Sequence, residues 1–178
     1  HEEKHKRHIP TMAGLVCIFA ITIVTVLFNL DRNQTWLPLA TLLLFGAFGL
    51  LDDLSNVFLK SDKRGGLTPA TQIIALAVLS GIGSLWFYYK LGYDAISIPW
   101  YGSIGIGILY IPLFIAVVVS TSKAVSITDG LDGLAGGLLS IAFSAYAVIC
   151  LLQGNFLLAA FCCTVVGVML AYTWFNIY

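Results

Sequence analysis

Six long apolar runs, at about 11–30, 36–51, 71–90, 104–119, 134–152 and 156–175, alternate with short polar connections. A helix that crosses a bilayer needs about 20 mostly apolar residues. The pattern therefore predicts an all-α integral membrane protein with about six transmembrane helices. The second run is short and the fourth is rich in glycine at its start, so their ends are the least defined. The connection at 92–103 is longer than the others, and 94–99 and 102–106 partly alternate. A small extracytoplasmic β-hairpin is expected near 94–106, although Pro99 and the glycines weaken it. No internal repeat interrupts the pattern, and the connections are too short for a separate soluble domain. Residues 1–178 thus read as a single polytopic membrane domain.

Composition sharpens this picture. Hydrophobic residues make up 59% of the chain and charged residues 10%, against roughly 25% charged in a soluble domain; the mean hydropathy is +0.93. Formal net charge is zero, so no basic field points to nucleic acid. Cys17, Cys150, Cys162 and Cys163 all fall inside apolar runs, where they read as small buried hydrophobes, and none has the local spacing of a zinc site. The first ten residues are polar and basic, unlike a cleavable signal. The chain begins at His1 and ends at Tyr178 as an apolar run closes, so it is expected to be a segment of a longer protein, incomplete at both ends.

Basic residues in the connections set the orientation. With six alternating spans, one face carries Lys4, Lys6, Arg7, Lys60, Lys63, Arg64 and Lys123, and the other only Arg32 and Lys90. The first face is therefore read as cytoplasmic. The same parity brings His5–Thr11, Asp52–Asp53, Asp129–Asp132 and Asn176 to that boundary. Were the span count wrong by one, these features would be split across the bilayer.

The acids need a reason in a chain so poor in charge. Asp52 and Asp53 follow Gly49-Leu50-Leu51 at the inner end of a span, and neither can face lipid without a cost of several kcal/mol. A solvated helix end would explain them; so would a site for a divalent metal or for phosphate chemistry, since carboxylates suit Mg²⁺ bridging to phosphates. Asp129 and Asp132 sit in Thr128-Asp129-Gly130-Leu131-Asp132-Gly133, between two apolar runs. If the segment is helical from Asp129 onward, this spacing puts both carboxylates on one face. One of them alone would serve as a cap for the helix expected near Leu134, but capping accounts for one acid rather than two among glycines. Lys6, Arg7 and the neighbouring histidines read either as positive-inside anchors or as contacts for an anionic ligand. His1, His5 and His8 lack metal-ligand spacing. The Lys60–Gly66 stretch is a basic turn able to attract lipid phosphate.

Taken together, Pro10-Thr11-Met12-Ala13-Gly14, Gly49-Leu50-Leu51-Asp52-Asp53, the KRGGLT stretch at 63–68 and the TDGLDGLAGG stretch at 128–137 resemble, in order and spacing, the phospho-N-acetylmuramoyl-pentapeptide-transferase family. That family is a branch of the polyprenyl-phosphate N-acetylhexosamine-1-phosphate transferase superfamily, glycosyltransferase family 4. The resemblance implies a multi-pass enzyme of the bacterial inner membrane with about ten spans and its active site on the cytoplasmic face. It implies transfer of phospho-N-acetylmuramoyl-pentapeptide from UDP to undecaprenyl phosphate, forming the first lipid intermediate of peptidoglycan and releasing UMP. It further implies a Mg²⁺ cofactor and a homodimer. Asp52 and Asp53 match the family's catalytic, metal-binding acids; Asp129 and Asp132 match its nucleotide-side acids. Lys6 and Thr11 match residues of the uridine pocket, and Asn176 an active-site asparagine.

Several positions depart from the family pattern. Lys123 and Ser126 stand where asparagines are usual, Asn56 where the pattern after the acidic pair has lysine, and Gln72 where a lysine follows the GLT stretch; PTMGG has become PTMAG. Lys123 is a candidate to restore the charge lost at Asn56. The family's next loop, with a magnesium-binding aspartate, would begin just after Tyr178. The competing readings are a transferase moving N-acetylglucosamine-1-phosphate onto the same lipid, a non-catalytic membrane protein or ion transporter, and an inactive fragment.

Overall fold

The computed structural model describes residues 13–29, 35–58, 68–92, 95–98, 102–128 and 133–176. They form α1 (Ala13–Phe28), α2 (Trp36–Phe58), α3 (Pro69–Leu91), β1 (Ala95–Ile98), β2 (Gly102–Gly105), a 3-10 turn at Gly107–Leu109, α4 (Tyr110–Thr128), α5 (Leu134–Leu152) and α6 (Phe156–Asn176). Among the described residues, five helices are long and apolar enough to cross a membrane, and α1 is an apolar helix of 16 residues. The chain is thus a multi-pass membrane protein whose first span is shorter, over its described length, than the pattern suggested. The helices divide into two compact units, His1–Gly66 with Thr128–Tyr178, and Leu67–Ile127.

In the first unit, α5 and α6 form an antiparallel hairpin. Gly154 adopts φ 76°, and Asn155 N–H closes onto Cys150 O at 2.9 Å, so the reversal takes only a few residues. The interface uses small side chains: Ala135, Gly136, Ser140, Ala147 and Cys150 are the buried positions of α5. This is how helices approach closely in a bilayer, where van der Waals packing replaces the hydrophobic drive between them. A methyl group on Gly136 would run into the Thr173 hydroxyl and lie 3.2 Å from the Tyr172 ring. Ile21 of α1 joins Ala147, Phe161, Cys162 and Val165 in the core, with Leu42 of α2 packed against it. Asn29, beyond the end of α1, donates its side-chain amide to Leu157 O at 3.0 Å, which sets α1 antiparallel to α6.

The second unit is α3, the hairpin and α4. Thr68 caps α3, its hydroxyl accepting from Thr71 N–H at 3.3 Å, and Pro69 at the first helical position carries no N–H to satisfy. Gly92 ends the helix in the left-handed region, φ 67°. The expected hairpin is present: β1 and β2 pair antiparallel with Ala95 opposite Gly105 and Ile98 opposite Gly102. Phe87 and Phe114 hold α3 to α4, ring centroids 5.4 Å apart.

Helix ends depart from the apolar runs in an instructive way. The helix α2 continues through Asp52-Asp53 to Phe58 rather than stopping near Leu51, because nothing in that polar stretch breaks a helix; Ser55 Oγ bonds back to Asp52 O at 2.7 Å. Gly107, at φ 54°, separates the hairpin from α4, which starts at Tyr110 rather than near 104. Beyond 119, Ser120 and Thr121 bond their hydroxyls back to the preceding turn, Thr121 Oγ1 to Val117 O at 2.7 Å, and the helix runs on to Thr128. Large apolar side chains point outward throughout, Phe19 being 64% and Ile141 70% exposed, as a lipid-facing surface requires. Cys150 and Cys162 are buried as expected, whereas Cys163 is on the exposed face of α6.

Candidate active site

Asp53 sits where two of the sequence motifs meet. A cleft of about 320 Å³ between α1 and α2 is lined by Gly14, Leu15, Ile18, Leu43, Gly46, Ala47, Gly49, Leu50 and Asp53. On α2, positions 43, 46, 47, 50 and 53 follow the three- and four-residue spacing of one helix face, so Asp53 is the polar end of an otherwise apolar stripe. Gly14 closes the PTMAG stretch and Asp53 closes GLLDD; residues 39 apart in sequence border one space. Glycines on both helices keep that space open: a methyl on Gly46 would meet Ile18 Cδ1.

The two adjacent acids are not equivalent. Successive helical residues point about 100° apart, so only Asp53 faces the cleft, and its side chain is exposed. Asp52 is half-buried, with Oδ1 shielded from solvent. Among the described residues no three His, Cys, Asp or Glu side chains gather into a metal cage. An open carboxylate beside a second one fits Mg²⁺ nonetheless, because that ion keeps several waters and takes one or two carboxylates plus phosphate oxygens.

The remaining motifs converge through the helix directions. The start of α5 packs beside the end of α6 at Gly136 and Thr173, and α6 is antiparallel to α1. At the other end of α1, Thr25 and Val26 share a small cavity with Thr35, Trp36 and Leu39 from the start of α2, so α1 and α2 are antiparallel as well. The start of α1, the Asp52–Asp53 turn of α2, the start of α5 and the end of α6 therefore share one end of the first unit. Lys6, Thr11, Asp129 and Asp132 lie outside the described residues, as does the side chain of Asn176, whose backbone ends α6. Asp129 and Asp132 fall in the connection between Thr128 of α4 and Gly133.

Gly133 holds the N-cap of α5 with φ 78° and no side-chain cap bond. The described helix thus begins after Asp132, and the cap position belongs to a glycine rather than to either acid.

One feature escaped the sequence. Lys123 Nζ donates to Gln72 Oε1 at 2.6 Å, across 51 residues. Both positions depart from the family pattern, yet nothing in the sequence marks them as neighbours. The side chain of Asn56, to which Lys123 was expected to answer, lies outside the described residues.

Similarity to known proteins agrees with this geometry. Residues 35–178 match the family model described as glycosyl transferase family 4. The chain is 38% identical over 177 residues to the phospho-N-acetylmuramoyl-pentapeptide-transferase of Chloroflexus aurantiacus, covering 95% of this chain and 48% of the relative. It is 36% identical over 181 residues to that of Listeria innocua, covering 99% and 55%, and 33% identical over 190 residues to that of Desulfotalea psychrophila, covering 96% and 52%. The chain spans about half the length of the curated relatives it matches. On its apolar helices, its paired acids and these matches, the chain belongs to glycosyl transferase family 4.

Proposed function

We propose that the protein transfers phospho-N-acetylmuramoyl-pentapeptide from its uridine-diphosphate carrier to undecaprenyl phosphate in the bacterial inner membrane, releasing UMP on the cytoplasmic side. The observation that supports this reading is that Gly14 of α1, the Asp52–Asp53 turn of α2, the Ala135–Gly136 start of α5 and the Thr173 end of α6 lie at one end of a single helical unit. The names of the relatives supply the donor sugar, and the positive-inside count supplies the side.

Joining two phosphates is opposed mainly by their mutual repulsion, so catalysis here is chiefly positioning and charge neutralisation. Undecaprenyl phosphate, with a second pKa near 6, is largely dianionic at neutral pH and needs little help from a general base. One of its oxygens attacks the sugar-bearing phosphorus of the donor; the bond from that phosphorus to the bridging oxygen breaks, and UMP leaves with the electron pair. Asp53, exposed at the cleft, and Asp52 beside it would hold Mg²⁺, which when bound offsets the charge of the diphosphate. Asp129 and Asp132 would orient the nucleotide, with Lys6 and Thr11 at the uridine and Asn176 near the reacting groups. The α1–α2 cleft gives Asp53 an apolar flank. A site at helix ends reaches both a cytosolic nucleotide and a lipid head at the interface.

Magnesium-dependent UMP release by the full-length protein, measured with both substrates in detergent, tests the reading. Chelation by EDTA is expected to abolish release and added Mg²⁺ to restore it. Labelled transfer from UDP-N-acetylglucosamine, with none from the pentapeptide nucleotide, would refute the donor assignment. A phosphorylated Asp52 or Asp53 trapped during turnover would replace direct attack by a covalent route.

A further inference from the structure

Thr25 differs from other hydroxyl residues of the helices. Thr22, Ser80, Ser140 and Thr173 each bond the backbone carbonyl four residues earlier, at 2.7–2.8 Å, the usual way a hydroxyl is satisfied within a helix. Thr25 is only 4% exposed, and its Oγ1, shielded from solvent, makes no such bond and no other among the described residues. One turn further on, Asn29 is equally buried. Its amide nitrogen donates to Leu157 O at 3.0 Å, while its Oδ1 is shielded and has no partner among the described residues. A buried polar atom left unpaired carries its full desolvation cost, and ordered water commonly meets groups that no protein atom can reach.

Ile21, Thr25 and Asn29 recur every four residues and so share one face of α1. Ile21 packs in the core with Phe161 and Cys162 of α6, and Asn29 meets the first turn of α6. Thr25, between them, borders a cavity of about 40 Å³ whose other walls include Thr35, Trp36 and Leu39 at the start of α2. A cavity needs about 10–15 Å³ to admit one water, so this one has room. Side chains four apart on a helix have Cβ atoms about 5–6 Å apart, a span that one water bridges. Both groups are neutral, and Oδ1 can only accept. The ligand that suits them is therefore small, uncharged and able to donate. An apolar chain would fill the space and leave both oxygens unpaired.

We propose that Thr25 Oγ1 and Asn29 Oδ1 bind one ordered water molecule, which completes the join of α1 to the first turns of α2 and α6. The water donates to Oδ1 and makes its second bond with the Thr25 hydroxyl. The site occupies the last turn of α1 and the residue after it, so water reaches it from the end of the span rather than through hydrocarbon. The inference goes beyond the transferase reading and does not depend on it.

The direct test is an experimental map of the full-length protein, in detergent or nanodiscs, at a resolution that shows ordered water. A single peak about 2.7–3.2 Å from both Thr25 Oγ1 and Asn29 Oδ1 is expected. A Thr25 hydroxyl turned onto Ile21 O with no peak in the cavity overturns the proposal. So does density that continues as an acyl or detergent chain. Stability gives an independent reading, because Thr25→Val keeps the branched shape and removes the hydroxyl. If that hydroxyl binds water, the variant should unfold at a temperature lower by roughly 2 °C or more, the loss of a partner for a buried polar group. An unchanged or raised unfolding temperature is the result for a hydroxyl that binds nothing, and it overturns the proposal. The peak should persist in Thr25→Ser and vanish in Thr25→Val; one that persists in both shows that Thr25 does not hold the water.

Discussion

At the scale of single residues, the structure separates two neighbours that the sequence treats as a pair. Asp53 faces the α1–α2 cleft while Asp52 is turned about 100° away and half-buried. Asp53→Asn keeps size and helix compatibility at an exposed position, so it is expected to fold normally. UMP release should fall by on the order of a hundredfold or more, as when a group that stabilises developing charge is removed; measuring both kcat and the unfolding temperature checks this. Gly133 makes a different prediction. At φ 78°, any side chain meets the left-handed penalty, so Gly133→Ala should destabilise by about 1–2 kcal/mol, read as a lower unfolding temperature in detergent. Adjacency in sequence made the acids legible as a site but not their division of labour, which depends on the helix continuing past Leu51. The Lys123–Gln72 bond was illegible for another reason: hydropathy and spacing are local, and this contact crosses 51 residues.

At the scale of elements, the apolar runs located the six α-helices of the described residues, because lipid imposes the same demand on every span. They did not locate the ends. Hydropathy reports where the bilayer stops, whereas a helix stops where its backbone runs out of partners, and α2 and α4 both run on through polar residues. The hairpin at 95–105 was legible from weak alternation alone, with its reversal at Ile98–Gly102. The TDGLDGLAGG stretch also divides in two. Its first part carries the acids, while Ala135 and Gly136 are buried where α5 packs on α6. Gly136→Val is therefore expected to disturb packing rather than chemistry, costing about 1–3 kcal/mol for overfilling a close contact. Unfolding of the purified variant should show the loss, and the KM of whatever fraction remains folded should be unchanged.

At the scale of the whole molecule, the account makes one geometric claim. The start of α1, the acids of α2, the start of α5 and the end of α6 occupy one end of the first unit, fixed by antiparallel packing of α1 with both α2 and α6. Counting spans and basic residues put His5–Thr11, Asp52–Asp53, Asp129–Asp132 and Asn176 at one boundary without any contact between helices; His5–Thr11, Asp129, Asp132 and the Asn176 side chain lie outside the described residues. Counting could not supply the α1–α2 cleft, where Gly14, Gly46 and Gly49 line the space beside Asp53. The most direct test replaces the four native cysteines, introduces one at position 53 or 129, and labels with a membrane-impermeant thiol reagent in right-side-out and inverted vesicles. Both positions should react in inverted vesicles alone; labelling from opposite sides would contradict the shared site.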